Sequence, residues 1–192
     1  EQARDLAGDA AEAEFDAALA LASDALGLGD PDRARAAAAE AEQRAAGRAD
    51  WWRQDVRLHW VRAELALTDG DPAGAIVLAD RAVTLAEAAG APRYIARGLL
   101  LEGVGRVENG ELDLAGSTLR RAATLAESLG ALPLLWRSRA LLGALTATSR
   151  PEDSARALSS ARTCVLQVAD DLPEDLRGDW LARPDVAALL EG

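Results

Sequence analysis

The sequence predicts an all-α protein built as a solenoid, and three observations support this prediction. Hydrophobic residues make up 49% of the 192 residues but aromatic residues only 4%, so alanine and leucine dominate and favour helix over sheet. No stretch alternates apolar and polar residues as a half-buried strand does. The segment RAVTLAEAAG at 81–90 returns as RAATLAESLG at 121–130 with seven of ten residues identical, and a self-match at a fixed period of about 40 residues is typical of a stacked array.

Each unit is predicted to contain two helices, and the second helix after Gly70 illustrates the signals. Gly70 suits the left-handed end of the preceding helix, Asp71 is a good N-cap, and Pro72 suits the first turn. Four alanines then recur on one helix face at spacings of four, three and four: Ala75, Ala79, Ala82 and Ala86. Because these side chains are small, another helix can approach closely along the whole stripe.

The first helices of the units carry larger apolar residues at helical spacing. The segment 91–110 places four on one face: Leu100, Leu101, Val104 and Val107. The segment 49–70 opens with Asp50 as the expected cap and carries a similar face: Trp60, Val61, Leu65 and Leu67. Connections of two to four residues leave room only for antiparallel neighbours.

The expected fold is a right-handed α-solenoid of about four helix-turn-helix repeats with a C-terminal capping helix. The array is expected to occupy 1–170, in units at about 10–48, 49–90, 91–130 and 131–170. Residues 171–192 read as a helical cap, with Asp171 as N-cap, Pro173 in the first turn and a short final helix from Pro184. An array needs such an atypical terminal unit to cover its open apolar end.

The repeat resembles the tetratricopeptide repeat. Three sets of small residues carry the resemblance: Ala63, Gly103 and Gly143 in the first helix; Gly29, Gly70 and Gly110 between the helices; Ala34, Ala75, Ala115 and Ala155 in the second helix. The units are longer than that family's standard unit, its aromatic positions are not regularly filled, and the last unit has Arg150 and Arg162 where Gly and Ala are expected. The long units are similar to arrays in large bacterial signalling and regulatory proteins. The resemblance implies a superhelix whose first helices line a concave surface for a peptide, a protein segment or a small effector.

Bulk properties exclude several classes of function. A net charge of −11 argues against binding nucleic acid. No apolar run reaches the roughly 18–20 residues of a membrane helix. One cysteine, Cys164, permits no internal disulfide and favours a reducing compartment, so we expect a cytoplasmic protein. The chain contains no methionine and starts at Glu1, so we expect it to be part of a longer protein.

Arginines recur on successive first helices. Arg57, Arg97 and Arg137 stand 40 residues apart, and we call them the arginine ladder. Arg53 and Arg93 lie one turn earlier on two of the same helices. Guanidinium groups suit carboxylate or phosphate, so the strip could hold an acidic peptide or an anionic effector. The alternative is that each arginine pairs with an acidic residue of a neighbouring helix.

Aromatic residues of the first helices are the second set of candidates. Trp60 lies in the apolar stripe and is expected to pack in the core. Trp52, Tyr94 and Trp136 are candidate binding residues, since exposed aromatic rings beside arginine make favourable contact surfaces. The alternative for each of them is packing within the array.

Chemistry-bearing motifs are absent from the sequence. His59 is the only histidine, and a lone histidine makes neither a metal site nor a catalytic triad. We found no glycine-rich phosphate loop and none of the protease or redox motifs HExxH, GxSxG and CxxC. We therefore expect no enzyme activity, no metal and no cofactor.

Two functions remain open from the sequence. The first is a protein-interaction module that binds a peptide, a protein partner or another domain of the parent chain in its concave groove, as a monomer or weak dimer. The second is a sensor in which a small-molecule effector binds a compact pocket, expected near Trp51, Trp52 and His59, and shifts a parent regulator between two states.

Overall fold

Helix is the only regular structure in residues 2–45 and 51–191, which are the residues that the computed structural model describes. The first four pairs are α1 Gln2–Gly27 and α2 Pro31–Ala45, α3 Trp52–Thr68 and α4 Pro72–Ala88, α5 Pro92–Glu108 and α6 Leu112–Ser128, and α7 Leu132–Thr146 and α8 Pro151–Asp171. Two short helices follow, α9 Glu174–Leu181 and α10 Pro184–Glu191. Asp50, the expected cap of α3, lies outside the described residues.

Consecutive helices pack against one another, and the first helices of successive pairs also meet. Contacts join α1 to α2, α3 to α4, α5 to α6 and α7 to α8 within the pairs. Contacts between α1 and α3, α3 and α5, and α5 and α7 then form an inner layer of first helices. The predicted all-α array of helix pairs is therefore confirmed.

Glycine turns set the repeat geometry. Gly70 has φ of 73° and Gly110 has φ of 78°, in the left-handed region that side chains disfavour. The amide of Asp71, which follows Gly70, donates to the Ala66 carbonyl oxygen at 2.8 Å, so the turn satisfies the end of α3. The turn before α8 contains Arg150 instead of glycine, and there the Arg150 amide donates to the Thr146 carbonyl oxygen at 2.8 Å.

The core is built along the predicted stripes of small residues. The four alanines of the α4 stripe are fully buried: Ala75, Ala79, Ala82 and Ala86. In the next unit Leu119 replaces the alanine at the position of Ala79, and it is also fully buried. Gly103 of α5 lies opposite Leu119: a Cβ atom on Gly103 would stand 2.5 Å from Leu119 Cδ2. Because Gly103 of α5 has no side chain, it leaves the space that the Leu119 side chain of α6 occupies.

The C-terminal cap covers the last pair of helices, although its start differs from the prediction. Asp171 was expected to cap a helix, but it is the last residue of α8, and α9 begins after Pro173. Leu172 is extended because a residue that precedes proline is disfavoured in the helical region. The Trp180 indole donates to the Val165 carbonyl oxygen at 3.2 Å and so attaches α9 to α8.

Buried apolar residues attach the second cap helix. Val186 is fully buried and Leu189 is 8% exposed, both within the cluster formed by α7 and α8. Arg162 Nε of α8 donates to the Leu189 carbonyl oxygen at 2.8 Å. Arg162, which breaks the small-residue pattern of the last unit, thus contacts the cap.

We expect Gly103→Ala to lower the free energy of unfolding. Overpacking costs about 1–3 kcal/mol, and the better helix propensity of alanine returns at most about 1 kcal/mol. In a Leu119→Ala background the same substitution should be neutral or stabilising, because the opposing side chain is gone. Urea denaturation of the four proteins of this cycle measures the difference, and a stabilising Gly103→Ala in the wild-type background would contradict the close contact.

Candidate binding groove on the first helices

One position on the first helices carries the arginine ladder. Arg57 lies on α3, Arg97 on α5 and Arg137 on α7. The residue just before each of them is buried, as is its counterpart on α1: Phe15, Val56, Ala96 and Trp136. These buried residues fix the rotation of each first helix about its axis, so every ladder side chain lies at the edge of the core.

A cavity of about 380 Å³ opens on this side of the array. Its polar lining comes from α3 and α5, with the guanidinium groups of Arg57, Arg93 and Arg97. Its rings are Trp60 and Tyr94, and the end of the turn between α6 and α7 (Gly130, Ala131) and the first residues of α7 (Pro133, Leu134) close it. No carboxylate of the described residues lines this cavity, although the chain carries a net charge of −11. We call this cavity the basic groove.

Aromatic contacts join α3 and α5 along one wall of the basic groove. Trp60 and Tyr94 are stacked with ring centroids 5.1 Å apart, and the Arg97 guanidinium lies 4.7 Å from the Trp60 ring centroid. Trp52 meets Tyr94 edge-on at 5.6 Å, and Arg53 lies over Trp52 at 4.7 Å. Cation–π and aromatic contacts therefore hold together side chains from α3 and α5.

The Trp60 indole leaves a hydrogen-bonding group unused. Trp60 is 7% exposed, which confirms its predicted core position, and its Nε1 is buried without a hydrogen-bond partner among the described residues. Buried donors are normally paired. Trp136 Nε1 is in the same state within the core, but only Trp60 also lines the basic groove.

Each ladder arginine pairs with a carboxylate of a neighbouring helix. Arg57 forms an ion pair with Asp16 of α1. Arg97 Nη2 lies 3.2 Å from Glu64 Oε1 of α3. Arg57 and Arg97 are only partly buried, with 32% and 39% of their side chains exposed, and exposed pairs contribute little stability. The alternative of neighbour pairing is thus observed, while both guanidinium groups still line the groove.

The acidic partners do not follow the repeat. At the 41-residue spacing of the first unit, the counterpart of Glu64 is Ser23, which cannot form an ion pair, and Asp16 is itself the counterpart of Arg57. The arginines recur at one position, whereas their carboxylates come from different positions on the neighbouring helices. The ladder therefore owes its regularity to the repeat and not to a repeated ion pair.

Arg53 and Arg93 are the unpaired members of the strip. Both are exposed, and neither has an ion pair with a carboxylate among the described residues. Arg93 lines the basic groove, whereas Arg53 stays over the Trp52 ring outside the lining. Arg93 is therefore the guanidinium in the groove whose donors are uncommitted.

The far end of the ladder does not reach the basic groove. Arg137 Nη2 lies 3.5 Å from Asp185 Oδ2 of the cap, and its guanidinium lies 5.4 Å from the Trp136 ring centroid. Trp136 is 3% exposed and packs edge-on against Trp180 at 6.4 Å. The expectation that Trp136 offers contact area to a ligand is therefore wrong. Trp136 stands at the position of Val56 and Ala96, and this position is buried in the core of each of these repeats.

The three residues at which the sequence predicts a compact pocket, Trp51, Trp52 and His59, do not line the basic groove. Trp51 is 8% exposed and packs against Phe15 with ring centroids 5.7 Å apart. His59 Nδ1 lies 2.7 Å from the Asp55 carbonyl oxygen within its own helix. The basic groove lies at Trp60 of α3 and Tyr94 of α5. The two rings stack across successive first helices, and the sequence of α3 alone does not predict that contact.

Residues with metal-binding or nucleophilic chemistry are dispersed. Among residues 2–45 and 51–191, no group of three or more His, Cys, Asp or Glu side chains could hold a metal ion. Cys164 is a buried free thiol whose Sγ lies 3.9 Å from an Arg139 nitrogen. None of the helices within the described ranges is both long and apolar enough to cross a bilayer.

Asp185 is the carboxylate through which the ladder meets the cap. Its partial burial alone would raise its pKa, but the hydrogen bond from Arg183 and the charges of Arg183 and Arg137 outweigh burial and hold the pKa below the ordinary value of an aspartate. The ionised form therefore stabilises the fold above the unfolded-state pKa. That contribution disappears as the pH falls through the lowered pKa of the folded state.

We expect Asp185→Asn to lower the free energy of unfolding at pH 7 by less than about 1 kcal/mol, because the pair is partly exposed. The difference between wild type and variant should vanish once the pH falls well below roughly 3.9, the usual pKa of aspartate. Urea denaturation at both pH values measures it. Asp80→Asn, at an exposed position of α4 without an ion pair in the described chain, is the control. A difference that persists in acid would contradict the electrostatic role.

No protein-family model and no curated protein matches the sequence. The fold is similar to that in the crystal structure of aspartyl phosphate phosphatase F from Bacillus subtilis, with a TM-score of 0.71 and 17% sequence identity over 95% of this chain. The match covers 48% of that protein, so the chain spans about half of its length. At this identity the likeness concerns the fold alone, and it supports a tetratricopeptide-like helical repeat array.

Proposed function

We propose that the chain is a protein-interaction module whose basic groove binds an acidic segment of a partner protein or of another domain of the same parent chain. One observation supports this most: three guanidinium groups and two aromatic rings line a single cavity, and no carboxylate from the described part of the chain joins them, in a protein of net charge −11. A cavity that concentrates positive charge on an acidic protein selects ligands of opposite charge.

The lining indicates how such a segment would bind. Arg93 has no ionic partner in the described chain, so a ligand carboxylate can take up its donors without breaking an existing pair. Arg57 and Arg97 can add charge at the cost of weakening pairs that are already partly exposed. Tyr94, Trp60 and Leu134 offer the apolar surface for a neighbouring side chain. The fitting ligand therefore combines an acidic group with an apolar one.

The proposed activity is binding and not catalysis. Similarity of fold to a named phosphatase transfers no catalytic residue at 17% identity. The described lining of the groove consists of permanent cations, aromatic rings and apolar residues, which suit the binding of an anion. We place this module in the cytoplasm, in keeping with its single cysteine.

A small anionic effector is the second candidate, because a cavity of about 380 Å³ falls in the size range of small-molecule sites. An effector would bind as a free acid, whereas a protein segment would need contacts beyond the cavity. Benzoate and succinate serve as probes for this possibility. Saturable binding of either at micromolar concentration, together with no binding of acidic peptides, would favour the effector.

We expect a short fluorescein-labelled peptide rich in Glu, Asp and Leu to bind the wild-type chain, and its counterpart with Lys at each acidic position not to bind. Arg93→Glu should raise the dissociation constant at least about tenfold, since it removes an unpaired donor group and adds repulsion. Binding should also weaken as salt is added. Fluorescence anisotropy measures each of these effects.

Arg81→Glu is the matched control for this experiment. Arg81 lies on α4, is exposed, and has no ion pair among the described residues, so the substitution changes the net charge equally without touching the basic groove. Equal weakening by Arg81→Glu and Arg93→Glu would show that only net charge matters. That result, or no binding of the acidic peptide to wild type, would contradict the proposal.

A further inference from the structure

A second feature of the surface is complementary to the basic groove. At the junction of α8 and α9, four exposed carboxylates have no ion pair within the described chain: Asp171, Glu174, Asp175 and Asp179. The one arginine among them, Arg177, lies 3.5 Å from Asp170 and donates to the carbonyl oxygens of Ala169 and Asp170. Leu176, in the midst of these residues, is 48% exposed. We call residues 170–179 the acidic corner.

The acidic corner is complementary in charge to the basic groove. The groove offers the uncommitted donors of Arg93 beside the rings of Tyr94 and Trp60, and the corner offers uncommitted carboxylates beside an exposed leucine. Carboxylates bound by arginine make stronger hydrogen bonds than neutral groups do. Each surface can therefore supply the charge and the apolar contact that the other leaves unsatisfied.

We infer that the basic groove of one copy of this chain binds the acidic corner of a second copy. This inference rests on the proposed function, because it names a partner for the same groove. The groove lies on α3 and α5 in the middle of the array, whereas the corner lies beyond its last helix pair. The two surfaces are different patches, so the contact is head-to-tail: the copy that uses its groove keeps a free corner, the other keeps a free groove, and further copies can bind at both ends.

Long-range repulsion between the copies sets the conditions under which they associate. Each copy carries a net charge of −11, which opposes approach when salt is scarce. At about 0.15 M salt, charges more than about 8 Å apart are largely screened, while groups in direct contact still attract. Association should therefore be strongest at intermediate salt and weaken both at very low and at high salt.

Self-association also bears on the recognition of other partners. A groove that is filled by the corner of a second copy must release it before an acidic segment of another protein can bind. An acidic peptide should therefore dissolve the assembly as it binds, because both compete for Arg93. The module would then respond to its own concentration as well as to that of its partner.

Sedimentation equilibrium of the whole chain at about 0.15 M salt tests the inference. The wild-type mass should exceed 20.1 kDa and rise with concentration. Arg93→Glu, which damages the groove, and the double variant Asp171→Asn/Asp175→Asn, which damages the corner, should each remain at 20.1 kDa. A mixture of the two should form a dimer of twice that mass and stop there, because only one intact groove and one intact corner remain per pair.

Controls separate a failed contact from a failed fold. Circular dichroism should show unchanged helix content in both variants, since all the substituted residues are exposed. Arg81→Glu should associate as wild type does. A wild-type mass that stays at 20.1 kDa up to roughly millimolar concentration would overturn the inference, and so would association that survives both variants or a mixture that stays monomeric.

The outcomes also distinguish this inference from the proposed function. If the acidic peptide binds in the basic groove but the wild-type chain remains monomeric, the groove recognises other proteins and self-association is wrong. If the chain associates through Arg93 but binds no acidic peptide, the groove serves self-association and the broader proposal is wrong. If the chain neither binds the acidic peptide nor associates, both the proposed function and the self-association are wrong.

Discussion

Close packing of helices across small side chains is the contact on which the rest of this structure depends. The alanine stripe of α4 is fully buried, and at the next joint Gly103 gives way to the larger Leu119. Helices that approach so closely can slide or rotate very little, because a displaced side chain would meet backbone within a fraction of an ångström. Each pair of helices therefore holds the next in a fixed orientation, and stability accumulates through neighbouring contacts along the array.

The same fixed orientation produces the basic groove. Because a buried residue precedes each ladder arginine, the repeat places Arg57 and Arg97 at the same edge of successive first helices. Residues that vary between units then give the groove its character: Tyr94 stands where the neighbouring units have Gln54 and Leu134. Gln54 is buried and bonds to Glu12, whereas Tyr94 stacks on Trp60. A regular scaffold thus carries an irregular site, as is usual for repeat proteins that bind through their inner layer.

Periodicity predicted the fold because helix pairs, glycine turns and buried stripes all repeat along the chain, as at Gly70 and Ala82.

The sequence predicted the lining of the groove only in part. Arg57, Arg93, Arg97 and Tyr94 line the same cavity, but Trp136 belongs to the core. Alignment of Trp136 with Val56 and Ala96 would have shown this. The cavity also depends on the turn between α6 and α7 and the start of α7, which lie beside α5. This contact joins different units, so the residue pattern of a single helix does not predict it.

The sequence analysis placed Asp171 at the start of a helix, but α8 ends there. Proline at 173 disfavours the helical conformation of the residue before it, Leu172, and this ends the helix at Asp171.

We propose that the first helices recognise acidic groups through the basic groove. Nuclear magnetic resonance of the arginine Nε–Hε groups during titration with an acidic peptide would show this recognition residue by residue. Signals of Arg57, Arg93 and Arg97 should shift together and saturate at one stoichiometry, while those of Arg33 and Arg81 on the second helices remain unchanged. Shifts confined to the second helices, or equal small shifts at all arginines, would contradict a specific groove and indicate non-specific attraction instead.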